Sequence, residues 1–99
     1  MSLTVEDTNC ADVLRILAQS TRLAVVRCLL DGAKHVGEMN RTLQVESSLL
    51  SHHLRTLREA GLVEARRDGK QVRYQLSPAL RSRGDGMALD LGCCRLNFE

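Results

Sequence analysis

The spacing of apolar residues changes once along this chain, and that change restricts the fold more than any other feature. Over residues 47–60, SSLLSHHLRTLREA, Leu50, Leu54 and Leu57 recur at helical spacing and mark one buried stripe. Ser47 is a suitable cap for this helix and Gly61 a suitable stop. From Leu62 onward the period is two, because LVEAR and VRYQL both alternate. Between them lies RDGKQ, whose Asp68-Gly69 pair is a strong hairpin signal. A shorter helix, about Val36 to Thr42 with Met39 and Leu43 as anchors, comes first, and the segment LQVESS is the turn. Helix, turn, helix and hairpin in that order predict a winged helix-turn-helix: a mainly α fold with a small β-hairpin.

The rest of the chain fits around this unit. Residues 10–18, CADVLRILA, place Val13, Leu14 and Leu17 on one helical face, with Thr8 or Asn9 able to cap the start. Ser20 begins a second helix with Leu23, Val26, Leu29 and Leu30 on one side, ended by Gly32. Ser77-Pro78 reads as a cap followed by proline, so PALRSR has helical potential before Gly84 and Gly86 interrupt it. The tail, MALDLGCCRLNFE, is ambiguous between helix and strand. At 99 residues the chain is expected to form one domain, residues 1–99, with a DNA-binding unit at about 36–76 and a C-terminal sensor tail at about 84–99. Tyr74 and Phe98 are its only aromatic residues, so the core must be built from Leu, Val, Ile and Ala. A core this small makes a dimer interface a natural source of added stability.

The charge is unevenly placed. Residues 34–83 hold ten Lys/Arg against five Asp/Glu, whereas residues 1–33 hold three against four and residues 84–99 one against three. A basic half of this kind suits a phosphate backbone, although a merely solvated basic face would have the same composition. A helix that reads the major groove needs short polar side chains near its N-terminus, and Ser47, Ser48, Ser51, His52 and Arg55 supply them. Arg58 lies a turn further on, toward the DNA backbone. Arg66, Arg67, Lys70 and Arg73 surround the hairpin tip, where they suit phosphates or a minor groove.

The run SSLLSHHLRTLREAGLVEARRDGKQVRYQLSP resembles the DNA-binding half of the ArsR/SmtB repressors, and LAQSTRLAVVRCLLDG resembles that family's second helix. The resemblance covers residues about 14–78. It implies a homodimeric bacterial transcriptional repressor on double-stranded operator DNA, released when a metal, metalloid or other inducer binds. It also implies that His53 is structural, and His52 is the histidine better placed for DNA. A Cys-x-Cys metal motif at the start of the reading helix is absent, and the tail holds Asp85 and Asp90 but no histidine, which argues against an Asp/His zinc site.

Cys93 and Cys94 are adjacent. Thiolates select soft thiophilic ions, but neighbouring residues converge on one ion only where the backbone is irregular, as Gly92 permits. In this family a vicinal pair near the C-terminus resembles the arsenite or organoarsenical sites of arsenic-responsive members. Trivalent arsenic takes three sulfurs, or two if it carries a methyl, and Cys10 is the best candidate for the third, from either chain of a dimer. Cys28 sits beside the apolar stripe of the second helix and reads as a small hydrophobe. Paired with Cys93, it would instead fit a thiol-redox or persulfide sensor on the same scaffold.

No run of apolar residues reaches a membrane span, and the N-terminus MSLTVEDTNC lacks a basic stretch followed by an apolar run. The expected location is the cytoplasm, without a membrane partner, where the cysteines are thiols, ligands or sensors rather than a disulfide framework. No enzyme motif is present, and no cofactor is needed for the fold. A winged helix that binds protein and no DNA is the alternative from another class.

Overall fold

A computed structural model of the chain describes residues 5–80 and 88–98, with side chains from Cys10 onward. Helix α1 spans Val5–Leu17 and α2 spans Ser20–Leu29. Thr8 and Asn9 lie within α1, not at its cap, because the helix begins earlier than its apolar spacing indicates. Leu17 is buried and Val13 half-buried, but Leu14 is 39% exposed. Gln19 caps α2 by accepting from the Arg22 backbone N–H at 2.8 Å. Val25, Val26 and Leu29 are buried along α2.

Strand β1 covers Lys34–His35 and leads directly into α3, Val36–Leu43. Met39 is fully buried there. Gln44 closes α3 in a left-handed conformation, φ 53°, and its N–H reaches the Asn40 carbonyl at 2.9 Å. Asn40 Nδ2 donates to the Val45 carbonyl at 2.9 Å, which fixes the turn into α4, Ser47–Glu59. The cap of α4 is Glu46, not Ser47: its carboxylate accepts from the Ser48 backbone N–H and hydroxyl. Leu50, Leu54 and Leu57 are buried as their spacing predicts, and His53 joins them at 5% exposure.

Strands β2 (Val63–Asp68) and β3 (Gln71–Leu76) form the hairpin, with Val63 opposite Leu76 and Asp68 opposite Gln71. The tip is therefore Gly69-Lys70, one residue later than the Asp68-Gly69 signal suggests. Gly69 has φ +65° while Lys70 does not enter the left-handed region, so the glycine occupies the first turn position. β1 pairs antiparallel with β3, giving a three-stranded sheet ordered β1-β3-β2. A two-residue strand is too short to carry an alternating pattern, so β1 leaves no signal in the sequence.

After a 3-10 turn at Pro78–Leu80, the remainder of PALRSR with Gly84 and Gly86 lies outside the described residues. The ambiguous tail resolves as strands: β4 (Ala88–Asp90) and β5 (Arg95–Asn97) pair antiparallel. Leu89 of β4 is fully buried and belongs to the same core as α2, α4 and the hairpin base. Among the described residues no helix is long and apolar enough to cross a membrane.

Candidate nucleic-acid interface and thiol cluster

The buried stripe of α4 leaves the opposite face in solvent. Ser47, Ser48, Ser51, His52, Arg55 and Arg58 are all exposed. Ser48 is bonded to Glu46 at the cap, and this bond holds the Glu46 carboxyl below its usual range. Arg66, Arg67, Lys70 and Arg73 are exposed on the wing. The strand register puts Arg66 and Arg73 directly opposite one another, on the face that also carries Asp68, and Arg67 on the other face. Arg73 is tied to Asp68 at 2.8 Å, while Arg55, Arg58, Arg66, Arg67 and Lys70 form no ion pair among the described residues.

Asp68 also joins the wing to the helix pair. Its Oδ2 lies 2.9 Å from His35 Nε2, and His35 Nδ1 lies 3.1 Å from Glu38 Oε1. Glu38 additionally accepts from the His35 backbone N–H at 2.9 Å, so it caps α3 and anchors the histidine together. The contact with His35, then the charge of Arg73, hold the Asp68 carboxyl below its ordinary value. A Glu three residues after a cap is readable in sequence. The partnership of His35 with Asp68, 33 residues apart, is not.

His53 is held from the other side. Arg22 Nε donates to His53 Nδ1 at 3.2 Å, and Arg22 Nη1 donates to the Ile16 carbonyl at 3.0 Å. One guanidinium thus links the end of α1, the start of α2 and the buried side of α4. Burial, then the Arg22 charge, push the His53 pKa down, so the ring is a neutral acceptor.

The cysteines separate into two groups. The Sγ atoms of Cys10, Cys93 and Cys94 all lie within 4.8 Å of one another. Cys93 and Cys94 occupy the tight turn between β4 and β5, closed by the Leu91 N–H to the Cys94 carbonyl at 2.9 Å. Gly92 takes φ +86°, and its N–H donates to Asp90 Oδ1 at 2.8 Å. This turn is the irregular backbone that lets adjacent thiols face one centre. Cys10 arrives from α1: its sulfur is bonded to that of Cys93, with Cα atoms 6.2 Å apart, and Cys94 Sγ lies 3.9 Å from both. The sequence favours thiols, metal ligands or redox sensors over a disulfide framework. The fold instead holds α1 and the β4–β5 turn close enough for a disulfide, since 6.2 Å falls within the span such a bond bridges. Cys28 is not part of the cluster. It packs half-buried on the core, and burial raises its pKa.

Residues 19–65 match the family model described as bacterial regulatory protein, arsR family. The structure superposes on HlyU from Vibrio cholerae N16961 with a TM-score of 0.73 at 35% identity, covering 76% of this chain and 82% of that one. The chain belongs to the ArsR family. HlyU has also been solved in a form described as reduced, which matches with a TM-score of 0.69 at 37% identity over 71% of this chain and 74% of that one. A homodimeric winged helix-turn-helix DNA-binding domain from Mycobacterium bovis, a possible ArsR-family regulator, matches at 29% identity and a TM-score of 0.67, over 73% and 67% of the two chains. Among ArsR-family sequences, the biofilm growth-associated repressor of Agrobacterium fabrum is 40% identical over 70 residues, 71% of this chain and 60% of its own length. The chain thus spans about 60% of the length of the curated relatives it matches. The likeness confirms the winged helix-turn-helix and lies in a family of regulators rather than enzymes.

Proposed function

We propose that this chain is a homodimeric, DNA-binding transcriptional repressor that a thiophilic metalloid, arsenite or an organoarsenical, releases from its operator. The observation that carries the reading is the pairing of a polar, exposed α4 face and a cationic wing with a three-sulfur cluster drawn from the two ends of the described chain. Ser47, Ser48, Ser51, His52 and Arg55 would meet base edges, with Arg58, Arg66, Arg67, Lys70 and Arg73 on phosphates. Cys10, Cys93 and Cys94 would each replace one hydroxide of arsenite, and three waters would leave with the thiol protons. The Cys10–Cys93 pair must first be reduced for all three to bind. The cluster joins α1 to the β4–β5 turn, so ligation would alter the relative orientation of the two reading helices in a dimer. The resulting coupling is typically about 1–3 kcal/mol.

A second reading is favoured by the bonded sulfurs of Cys10 and Cys93: two thiols lose two electrons and two protons to an oxidant, or to a persulfide that leaves as a thiol and hydrogen sulfide, and the crosslink itself releases DNA. A gel shift on duplex from upstream of the chain's own gene separates the readings. Under reducing conditions As(III) or Sb(III) is expected to release DNA from the wild type and not from a Cys93→Ser/Cys94→Ser variant. Zn(II) is expected to do neither. Release by oxidant or persulfide alone favours the second reading, and arsenite release that survives the double substitution sinks the first. A chain that binds no duplex, or whose binding does not weaken steeply with salt, is a protein-interaction module instead.

A further inference from the structure

Leu49 stands in a helix with four buried residues, yet it is 45% exposed. It lies in the first turn of α4, next to the buried Leu50. At 3.6 residues per turn it falls beside, not on, the stripe of Leu50, Leu54 and Leu57, on the same edge as Thr56. Thr56 Oγ1 donates back to the His52 carbonyl at 3.2 Å, so its hydrogen-bonding capacity is spent on the helix. The solvent face of α4 therefore has two edges. One carries the hydrogen-bonding groups of Ser51 and Arg55, with Ser48 and His52 at the centre; the other is apolar, Leu49 followed by Thr56.

We propose that Leu49 is a specificity-determining residue that packs on the 5-methyl group of a thymine in the major groove. The proposal rests on the reading of α4 as the helix that enters that groove. Of the four bases only thymine presents an apolar group there, and apolar side chains recognise it. Leucine has no donor or acceptor with which to read anything else. Its place in the first turn is where reading helices meet base edges. Its sequence neighbours Glu46, Ser47 and Ser48 and the nearby His52 are polar and exposed, so it is too isolated to form a docking patch for a protein. The other exposed large hydrophobics among the described residues, Leu14 and Val72, lie on α1 and β3.

The test uses the full chain and a pool of random duplexes from which bound sequences are selected. Each thymidine of the selected half-site is then replaced singly by deoxyuridine, which removes one methyl group and nothing else. One position is expected to lower wild-type affinity about fourfold, the worth of one buried carbon group. Leu49→Ala should lose that sensitivity at that position alone, and Leu49→Met should recover it. Both variants should fold, since the side chain is half in solvent. The proposal is overturned if no thymine is sensitive, or if Leu49→Ala keeps the wild-type sensitivity. An altered oligomeric state with unchanged sensitivity assigns Leu49 to an interface between copies instead. If selection yields no duplex at all, the reading of α4 falls and this proposal falls with it.

Discussion

At the scale of single residues, Arg22 of α2 reaches both α4, through His53, and α1, through the Ile16 carbonyl. A histidine buried on the inner face of a helix that carries a basic outer face must stay neutral, and its partner is a cation that can only donate. Burial is the larger cause of its lowered pKa and the Arg22 charge the smaller. The folded state therefore binds a proton less readily than the unfolded chain, whose histidines titrate near 6.5. Between the two values the unfolded state holds more protons, so stability rises with pH. The contribution is fully present above about pH 6.5 and is lost as pH falls below it, at a limiting slope of about 1.4 kcal/mol per unit. His53→Gln keeps an acceptor for Arg22 without the titration. Thermal melts of both chains from pH 7.5 to 5 should show the wild type losing stability relative to the variant below about 6.5; a constant gap would mean that His53 is not the group responsible. The burial of His53 is legible both in the family resemblance and in its place on the apolar stripe. The helical period also separates the two histidines, since His53 stands three residues after Leu50 and four before Leu57 while His52 falls on the opposite face, but the partner that fixes His53 lies 31 residues away.

At the scale of elements, the parts read correctly were those whose pattern is repeated. Leu50, Leu54 and Leu57 are three votes for one helix face, and β2 and β3 pair residue against residue, although burial does not alternate along them and is complete only at Val63 and Leu76. The parts missed were short or fixed from elsewhere: β1 is two residues long, and the tail became a hairpin because Leu89 is drawn into the core. The same holds for the thiol site. Adjacent cysteines after a glycine were visible, but their convergence depends on a turn whose closing hydrogen bond no sequence displays. That turn rests on Gly92 at φ +86°, where a side chain would meet no atom within 4 Å and only the backbone resists. Gly92→Ala should cost about 1–2 kcal/mol, the penalty for an L-residue in the left-handed region. In a domain of this size, that lowers Tm by several degrees, about 4–8 °C per kcal/mol. Gly37→Ala is the control: it sits in α3 with ordinary φ, its added carbon would lie 3.7 Å from Arg41 Nη1, and it should be neutral or mildly stabilising. Equal losses from both substitutions would show that the turn has no special backbone requirement.

At the scale of the whole molecule, the sulfur cluster connects the two ends of the described chain. Cys10 and Cys93 are 83 residues apart, and the whole helix-turn-helix and wing lie between them. A bond across so long a loop stabilises mainly by restricting the unfolded chain, typically by about 2–4 kcal/mol. Reduction should therefore lower Tm by on the order of 10 °C. A three-sulfur metalloid complex closes the same loop, so As(III) added to the reduced chain should restore much of that loss, and its effect should grow with concentration as binding to the folded state alone requires. Scanning calorimetry of the oxidised, reduced and reduced-plus-arsenite chains tests this. Cys28→Ser should behave as the wild type, because Cys28 stands apart from the cluster; Cys10→Ser should show neither the loss on reduction nor the full recovery with arsenite. If arsenite stabilises Cys10→Ser as strongly as the wild type, the metalloid is held by the hairpin pair alone, α1 is not recruited, and the route from sulfur ligation to the reading helices must run through β4 and its buried Leu89 rather than through α1.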